Sequence, residues 1–244
     1  MIPLSLPGVY APQDDTELLV HALGREPLVP QARVLDVGTG TGAVALAAAR
    51  RGALVTAVDI SWRAVLNAKV NAVLSRLPMR VVRGNLLAPV SGRSFDLILS
   101  NPPYVPTPEP ELVPATGPGF GGFGPVRGAA RAWEAGWDGR LVLDRICRDS
   151  PSLLRPGGVL LLVQSALSDA ERTLAQLRAE GLRADVVDHR RIAFGPVLRS
   201  RSDWLRGRGL LGDGDERDGD GSGDCDCDCD EKEELVIIRA ERPR

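Results

Sequence analysis

Short, wholly apolar runs alternate along this chain with longer stretches in which apolar residues recur every three or four positions. Residues 33–37 (RVLDV) read as a strand running into glycines, and residues 43–51 as a helix former. Residues 54–58 read as a second strand. Ser61 then stands as an N-cap for a helix to about Arg76, with Val65, Val70, Val73 and Leu74 near helical spacing. Residues 80–82 and 95–99 read as further strands. Residues 139–154 read as a helix stopped by Pro156-Gly157-Gly158, residues 159–163 as a buried strand, and residues 168–180 as a helix closed by Gly181. Strand–helix–strand units repeated in this way predict a mostly parallel sheet with helices on both faces and right-handed crossovers. No helix separates the last two apolar runs, 184–187 and 235–239, so they are expected to pair antiparallel as a hairpin at the sheet edge.

Two stretches break the rhythm. Residues 105–132 hold six prolines and six glycines, which excludes helix and central strand. Their position after a strand suggests a substrate-facing loop. Residues 190–234 are longer still and end in an acidic run, read as a flexible insert over about 206–234. Net charge is −2, yet the 22 residues from Asp213 to Glu234 carry 12 acidic side chains against Arg217 and Lys232. The rest of the chain, with 20 acidic and 28 basic residues, is therefore near +8. A basic body suits an anionic cofactor or a nucleic-acid-associated partner, although 28 arginines among 30 basic residues equally fit compositional bias. Cys225, Cys227 and Cys229 alternate with aspartates without the C-x2-C spacing of folded zinc sites, so no metal is expected. Cys147 falls in the helical pattern as a small apolar residue. No apolar run approaches the roughly 18 residues of a membrane span, and the proline-broken start carries no basic leader, so a cytoplasmic chain without membrane attachment is expected.

The chemistry concentrates after the strands. Asp36-Val-Gly38-Thr39-Gly40-Thr-Gly42 follows a strand and opens a helix, the context in which a glycine-rich turn lets a cofactor approach backbone. The spacing differs from G-x-G-x-x-G, and no Lys-Ser/Thr follows for a phosphate loop. Asp36 suits the ammonium of an amino-acid moiety. Asp59, ending the next strand beside Ile60, is placed to accept both ribose hydroxyls, and Asn85-Leu86 to meet an adenine. Trp62 fits either the edge of that adenine site or core packing. Ser100-Asn101-Pro102-Pro103-Tyr104 then ends a strand in a rigid outward turn. The Asn101 carboxamide and Pro102 carbonyl offer two converging acceptors, which together fix the two hydrogens of a planar –NH2 group. Tyr104 is placed to stack on it. Orienting the nitrogen's lone pair in this way is a large part of what methyl transfer to such a nitrogen needs. Of the two histidines, His21 reads as helix surface or packing, and His189 as a residue just past a strand without a catalytic task.

With these residues in hand, the sequence resembles the HemK-like family of class I S-adenosylmethionine-dependent methyltransferases, and within it the short branch that modifies release-factor glutamine. The resemblance rests on Asn101 to Tyr104, on Val9-Tyr10-Ala-Pro12-Gln-Asp-Asp15-Thr16, and on Trp133-Glu-Ala-Gly136-Trp-Asp138-Gly139-Arg140. It covers about residues 8–181 and the strand at 235–239. It implies a Rossmann-like α/β domain filling residues 1–244, a seven-stranded sheet with an antiparallel final strand, and residues 1–30 capping the cofactor. It also implies that Tyr10, Asp15 and Thr16 border S-adenosylmethionine, that residues 133–140 close the substrate loop, and that the acceptor is the G-G-Q loop of a translation release factor. The family often has Asp at the position of Asn85. The glycine-rich motif begins at Gly38, so the N-terminal helical domain of bacterial release-factor enzymes is expected to be missing. Related short enzymes use a small zinc-binding activator protein that covers an apolar sheet edge, and one is an expected partner here. N6-adenine methylation of DNA or RNA uses the same turn and is the alternative, although no base-recognition domain is visible. A non-catalytic protein on the same scaffold is the third reading, disfavoured by the intact Asp36, Gly38, Gly40, Asp59 and NPPY turn.

Overall fold

Apolar strands that alternate with helix-forming stretches bury themselves best in a parallel sheet covered on both sides. The structure, a computed structural model that describes residues 3–108, 135–211 and 232–244, has this arrangement. Its strands are β1 (Arg33–Val37), β2 (Leu54–Asp59), β3 (Met79–Arg83), β4 (Phe95–Ser100), β5 (Leu154–Ser165), β6 (Arg183–Ala193) and β7 (Lys232–Glu241). They lie in the order β3-β2-β1-β4-β5-β7-β6. The first five are parallel, and β7 runs antiparallel to both β5 and β6. The expected terminal hairpin is present, with β7 inside it and β6 at the edge.

On one face α1 (Asp14–Arg25), α2 (Ala43–Arg50) and α3 (Trp62–Ser75) pack in sequence; on the other α4 (Leu143–Asp149) pairs with α5 (Ala170–Ala179). Ser61 caps α3 as expected, its hydroxyl accepting from the Ala64 N–H at 3.5 Å. The core runs along the sheet through Val34, Leu35, Ile98, Leu99, Leu160 to Val163, and Ile237, all fully buried. The chain starts at the centre of the sheet, works outward to β3, then crosses back to β4. The connections after β1 and β4 therefore leave in opposite directions, which opens a crevice at the carboxyl ends of these two strands.

Four elements differ from the sequence reading. The helix expected over 139–154 is only Leu143–Asp149; a turn precedes it, and a 3-10 turn at Pro151–Leu153 follows. Pro156-Gly157-Gly158 does not stop a helix but lies inside β5, where the ladder with β4 shifts register between Phe95 and Leu97. The edge strand β6 extends to Ala193 because its pairing with β7, not its own composition, defines it. Charged residues along an exposed edge discourage pairing with other chains, and they also hide the strand from a hydrophobic pattern. Beyond it, α6 (Pro196–Arg199) and α7 (Ser202–Gly207) occupy part of what reads as loop, with Phe194, Leu198 and Leu205 buried beneath them. In this segment the Trp204 ring meets Trp137 edge-on at 5.4 Å, and the Arg208 guanidinium lies over both rings. The proline- and glycine-rich residues 109–134, and residues 212–231 with Cys225, Cys227 and Cys229, lie outside the described residues, as do Trp133 and Glu134.

Truncating Leu205 to alanine tests whether α6 and α7 belong to the core. A loss of about 2–4 kcal/mol in urea unfolding is expected for a buried leucine, and a loss below about 0.5 kcal/mol would return this segment to the surface.

Candidate active site

The carboxyl ends of β1, β2, β3 and β4 open onto one cavity of about 690 Å³. Its floor is the glycine-rich turn. Gly38 and Gly40 take left-handed backbone (φ +74° and +54°), and a Cβ on either would meet no other atom closer than 3.9 Å. There is room for a Cβ at either position, but the left-handed backbone would strain any other residue, and a side chain would take up space beside the turn. Asp36, at the end of β1, is 2% exposed and accepts from the Thr39 hydroxyl at 2.6 Å. Burial lifts its carboxyl to about 6, against the lowering effect of that hydroxyl and of the Ala45 N–H. The site thus holds a carboxyl that a ligand cation would stabilise as carboxylate. Asp59, at the end of β2, accepts from Gly40 N–H at 3.0 Å and Ser61 N–H at 2.8 Å, and burial raises its pKa too.

On the other side β4 delivers the NPPY turn. Ser100 ties it to β1 by donating to the Val37 carbonyl at 2.9 Å. Asn101 Nδ2 donates to Thr16 Oγ1 at 3.4 Å, and that hydroxyl donates in turn to Asp15 Oδ1 at 3.2 Å. With its nitrogen so engaged, the Asn101 carboxamide keeps its oxygen as the acceptor available to the cavity it lines. Asp15 Oδ2 receives the phenol of Tyr10 at 2.7 Å and that of Tyr104 at 3.2 Å. The far end of the turn is held just as firmly. The Ser168 hydroxyl donates to the Tyr104 carbonyl at 2.5 Å, and Gly139 packs so closely on that carbonyl that a Cβ would collide with it. The buried Arg140 guanidinium donates to the Ser168 and Asp169 carbonyls, bonds Thr173 and pairs with Asp144 at 2.7 Å. Arg201 donates to the Pro106 carbonyl at 3.0 Å where the chain leaves the turn.

Behind this layer stands Glu233, brought in by the reversed strand β7. It is 5% exposed and bonded to Ser165, and its Oε1 finds no partner among the described residues. Burial, reinforced by the nearby Asp15 carboxylate, lifts its carboxyl to about 7 despite the Ser165 bond. Burial with the same acidic neighbours also raises the Tyr10 and Tyr104 phenols.

The family model "Methyltransferase small domain" matches residues 2–111. A Methanocaldococcus jannaschii chain, provisionally named protein N5-glutamine methyltransferase, is 34% identical over 193 residues, which is 79% of this chain and 90% of that one. The chain belongs to the HemK-like methyltransferase family. The release factor glutamine methyltransferases of Deinococcus radiodurans and Salmonella typhimurium are 40% and 39% identical, over 81% and 72% of this chain. This HemK-like chain spans only 66% and 61% of their lengths. Among solved structures, the Mtq2–Trm112 complex of E. cuniculi, described as methylating the termination factor eRF1, aligns over 96% of this chain and 99% of its own (TM-score 0.62, 23% identity). The T. thermophilus 16S rRNA N2 G1207 methyltransferase, solved with AdoMet and guanosine, aligns over 98% of this chain and 46% of its own (TM-score 0.55, 21% identity). These two likenesses carry the Rossmann-like fold.

The HemK-like cavity brings together Tyr10, Asp15, Thr16, Asp36, Gly38, Thr39, Gly40, Asp59, Ile60, Asn85, Leu86, Asn101, Pro102, Pro103 and Tyr104. Gly42 does not line it. Its left-handed backbone (φ +84°) turns away, and a Cβ there would press on Ala68 of α3 at 3.1 Å, so this glycine serves helix packing. Trp62 lines the rim and is 58% exposed, so it is not core. His21 lies at the surface, 3.3 Å from Asp188, and the exposed His189 is absent from the cavity wall. Cys147 is buried, its thiol pushed up to about 12 by that burial. Among the described residues no three His, Cys, Asp or Glu side chains converge as for a metal, and no helix is long and apolar enough to cross a membrane. Sequence reasoning missed Glu233, Ser168 and the inward role of Arg140. The last lay inside a quoted motif, but nothing local marks Glu233, which stands at the end of an acidic run.

The raised carboxyl of Glu233 has a thermodynamic consequence. Its ordinary value is 4.5 and its folded value about 7, so the folded chain holds an extra proton between them. Its contribution to stability is then full below about pH 4.5, falls as pH rises and is lost above about pH 7, on the order of 3 kcal/mol in total. Glu233→Gln should flatten the fall in unfolding free energy between about pH 5 and about pH 8. Identical pH slopes for both proteins in urea titrations would remove Glu233 as the titrating group.

Proposed function

We propose that this chain is an S-adenosylmethionine-dependent protein-glutamine N5-methyltransferase whose acceptor is the G-G-Q loop of a translation release factor. The observation that carries the reading is the Asn101 carboxamide, oriented through Thr16 and Asp15 so that its oxygen stays available as an acceptor. The residues present fit the cofactor. The cavity volume suits a nucleoside-sized ligand. In this reading Asp36 holds the ammonium, the Gly38–Gly40 backbone approaches the amino-acid portion, Asp59 accepts the ribose hydroxyls, and Ile60, Asn85 and Leu86 surround the adenine. When bound, S-adenosylmethionine supplies an electrophilic sulfonium methyl group.

The chain's own residues then act mainly by orientation. Asn101 Oδ1 and the Pro102 carbonyl accept the two hydrogens of the glutamine –NH2, which turns the nitrogen's lone pair toward the methyl donor. Tyr104 stacks on the planar amide. No strong base has to act before transfer, because the amide proton leaves readily once the nitrogen carries positive charge. The names of relatives in M. jannaschii, D. radiodurans and S. typhimurium support glutamine as acceptor. The Mtq2–Trm112 neighbour supports a small activator partner, which we take to bind zinc and to cover the β3 edge. There Trp62, Leu66, Val73 and Leu74 of the adjoining α3 leave apolar surface exposed. In this reading the protein works in the cytoplasm, as one methyltransferase domain.

Purified protein given methyl-labelled S-adenosylmethionine should label a release factor, and the label should vanish when the loop glutamine is changed. Label confined to DNA or RNA would instead move the acceptor to adenine. Asn101→Ala should lower kcat by about 100-fold or more, while cofactor affinity stays within about threefold. Asp59→Ala should weaken cofactor binding about 10-fold or more, because two hydroxyls lose a charged acceptor. Equal loss of cofactor affinity in both variants would contradict this division of roles.

A further inference from the structure

We propose that Asn67 and Asn71 of α3 are positioning residues that clamp the N-terminal strap, residues 3–12, against the glycine-rich turn and thereby set how tightly the cofactor is held. The proposal rests on the cofactor reading above. Both side chains are essentially fully buried, at 0% and 2% exposed. A buried carboxamide is costly unless every polar atom is paired, and asparagine is a poor residue for a helix interior. The two therefore need a compensating partner, and the strap supplies it.

Four residues apart, they share one face of α3. Asn67 Oδ1 accepts from the Leu6 N–H at 2.8 Å, and its Nδ2 donates to the Leu4 carbonyl at 2.7 Å. Asn71 Oδ1 accepts from the Leu4 N–H at 3.0 Å, and its Nδ2 donates to the Leu4 carbonyl and to the Thr41 carbonyl, each at 2.8 Å. Two side chains thus give the strap the pairing that a neighbouring strand would otherwise give. The strap crosses no sheet edge; the backbone bond within it runs from Val9 N–H to the Leu6 carbonyl. Thr41 belongs to the glycine-rich turn, so Asn71 ties floor and strap together. Beyond the clamp, Gly8, Val9, Tyr10 and Pro12 wall the cavity, and Tyr10 reaches Asp15 as a second anchor. A strap fixed at both ends can close over a ligand without first being ordered, which lowers the entropic cost of retention.

The two asparagines separate the clamp from general stability. Asn67 bonds the strap alone, whereas Asn71 also holds the turn. The experiment measures binding of S-adenosylhomocysteine by calorimetry and its dissociation by stopped flow, in the unaltered 244-residue chain, Asn67→Ala, a chain lacking residues 1–7, and the two changes combined. Asn67→Ala should weaken binding about tenfold, mostly through faster dissociation. It should raise KM for the cofactor more than it lowers kcat. The deletion should weaken binding at least as much, and Asn67→Ala should add less than about twofold to it, because both act through one contact. Binding within about twofold of wild type in either single variant overturns the clamp, as does full additivity of the two. If Asn67→Ala fails to fold, the deletion alone decides by the same twofold criterion. Absence of binding by the wild type would instead overturn the cofactor reading, and the clamp with it.

Discussion

A single buried carboxylate organises this site. Asp15 stands in the first turn of α1, where unpaired N–H groups and the helix dipole favour negative charge. Its two oxygens take the Thr16 N–H, the Thr16 hydroxyl and the phenols of Tyr10 and Tyr104. Such a group must be fully paired to be buried at all. Its partners come from three elements: the strap and α1, which adjoin in sequence, and the turn after β4, 89 residues away. Satisfying Asp15 therefore requires all three to be assembled correctly. Tyr10 walls the cavity from the strap, while Tyr104 and the Thr16-bound Asn101 wall it from the turn after β4. One carboxylate couples the two halves of the cavity.

The sheet makes this convergence possible. Because the chain begins at the centre and later crosses to β4, the loops after β1 and β4 open a crevice rather than blocking each other. The reversal of β7 matters for a different reason. Inserted between β5 and β6, it carries Glu233 behind Tyr104 and beside Ser165. Two ionised carboxylates in so dry a place would repel strongly. Burial and the nearby Asp15 favour the protonated form of Glu233, which is bonded to Ser165. Asp36 shows the opposite case. It too is buried and raised, but it faces the open cavity, where a cationic ligand can compensate it.

What could be read from the sequence follows the range of the interactions. Strands β1, β2 and β4 and helix α3 announce themselves through local periodicity and a cap, and the glycine and NPPY motifs mark strand ends within a few residues of their chemistry. Tyr10, Asp15 and Thr16 were expected at the cavity only through family resemblance; their hydrogen-bond link to Asn101 spans 85 residues and has no local trace. Gly42 looked like the third member of a cofactor turn, because a glycine kept for packing against Ala68 is indistinguishable in sequence from one kept for a ligand. The edge strand β6 was cut short because its charged outer positions carry no hydrophobic signal, and its register comes from β7, some forty residues on. Nothing local in the sequence marks Asn67 and Asn71, and only the strap laid across them explains their burial.

The fixed NPPY turn also bears on which nitrogen it suits. Ser100, Ser168, Gly139 and Arg140 hold both ends of the turn against β1 and the start of α5, so its acceptors cannot adapt to the geometry of their guest. A primary amide and an exocyclic adenine amine present the same planar pair of hydrogens, so the turn alone does not discriminate between them. Discrimination has to come from what surrounds the planar group. An amide at the tip of a protein loop needs a narrow entrance with support for backbone on either side, whereas a flipped base needs an aromatic slot and a basic track for phosphates. Here the chain beyond the turn is pinned by other protein elements: Arg201 donates to the Pro106 carbonyl, the Thr107 N–H donates to the Gly136 carbonyl, and Trp137 packs against Trp204. The Arg208 cation that lies over those two rings also donates to the Trp137 carbonyl, and Arg201 is engaged with the chain leaving the turn. Arg201 and Arg208 are thus taken up by the chain's own carbonyls and rings, while the cations that line the cavity itself are Arg63, Arg83 and Arg145.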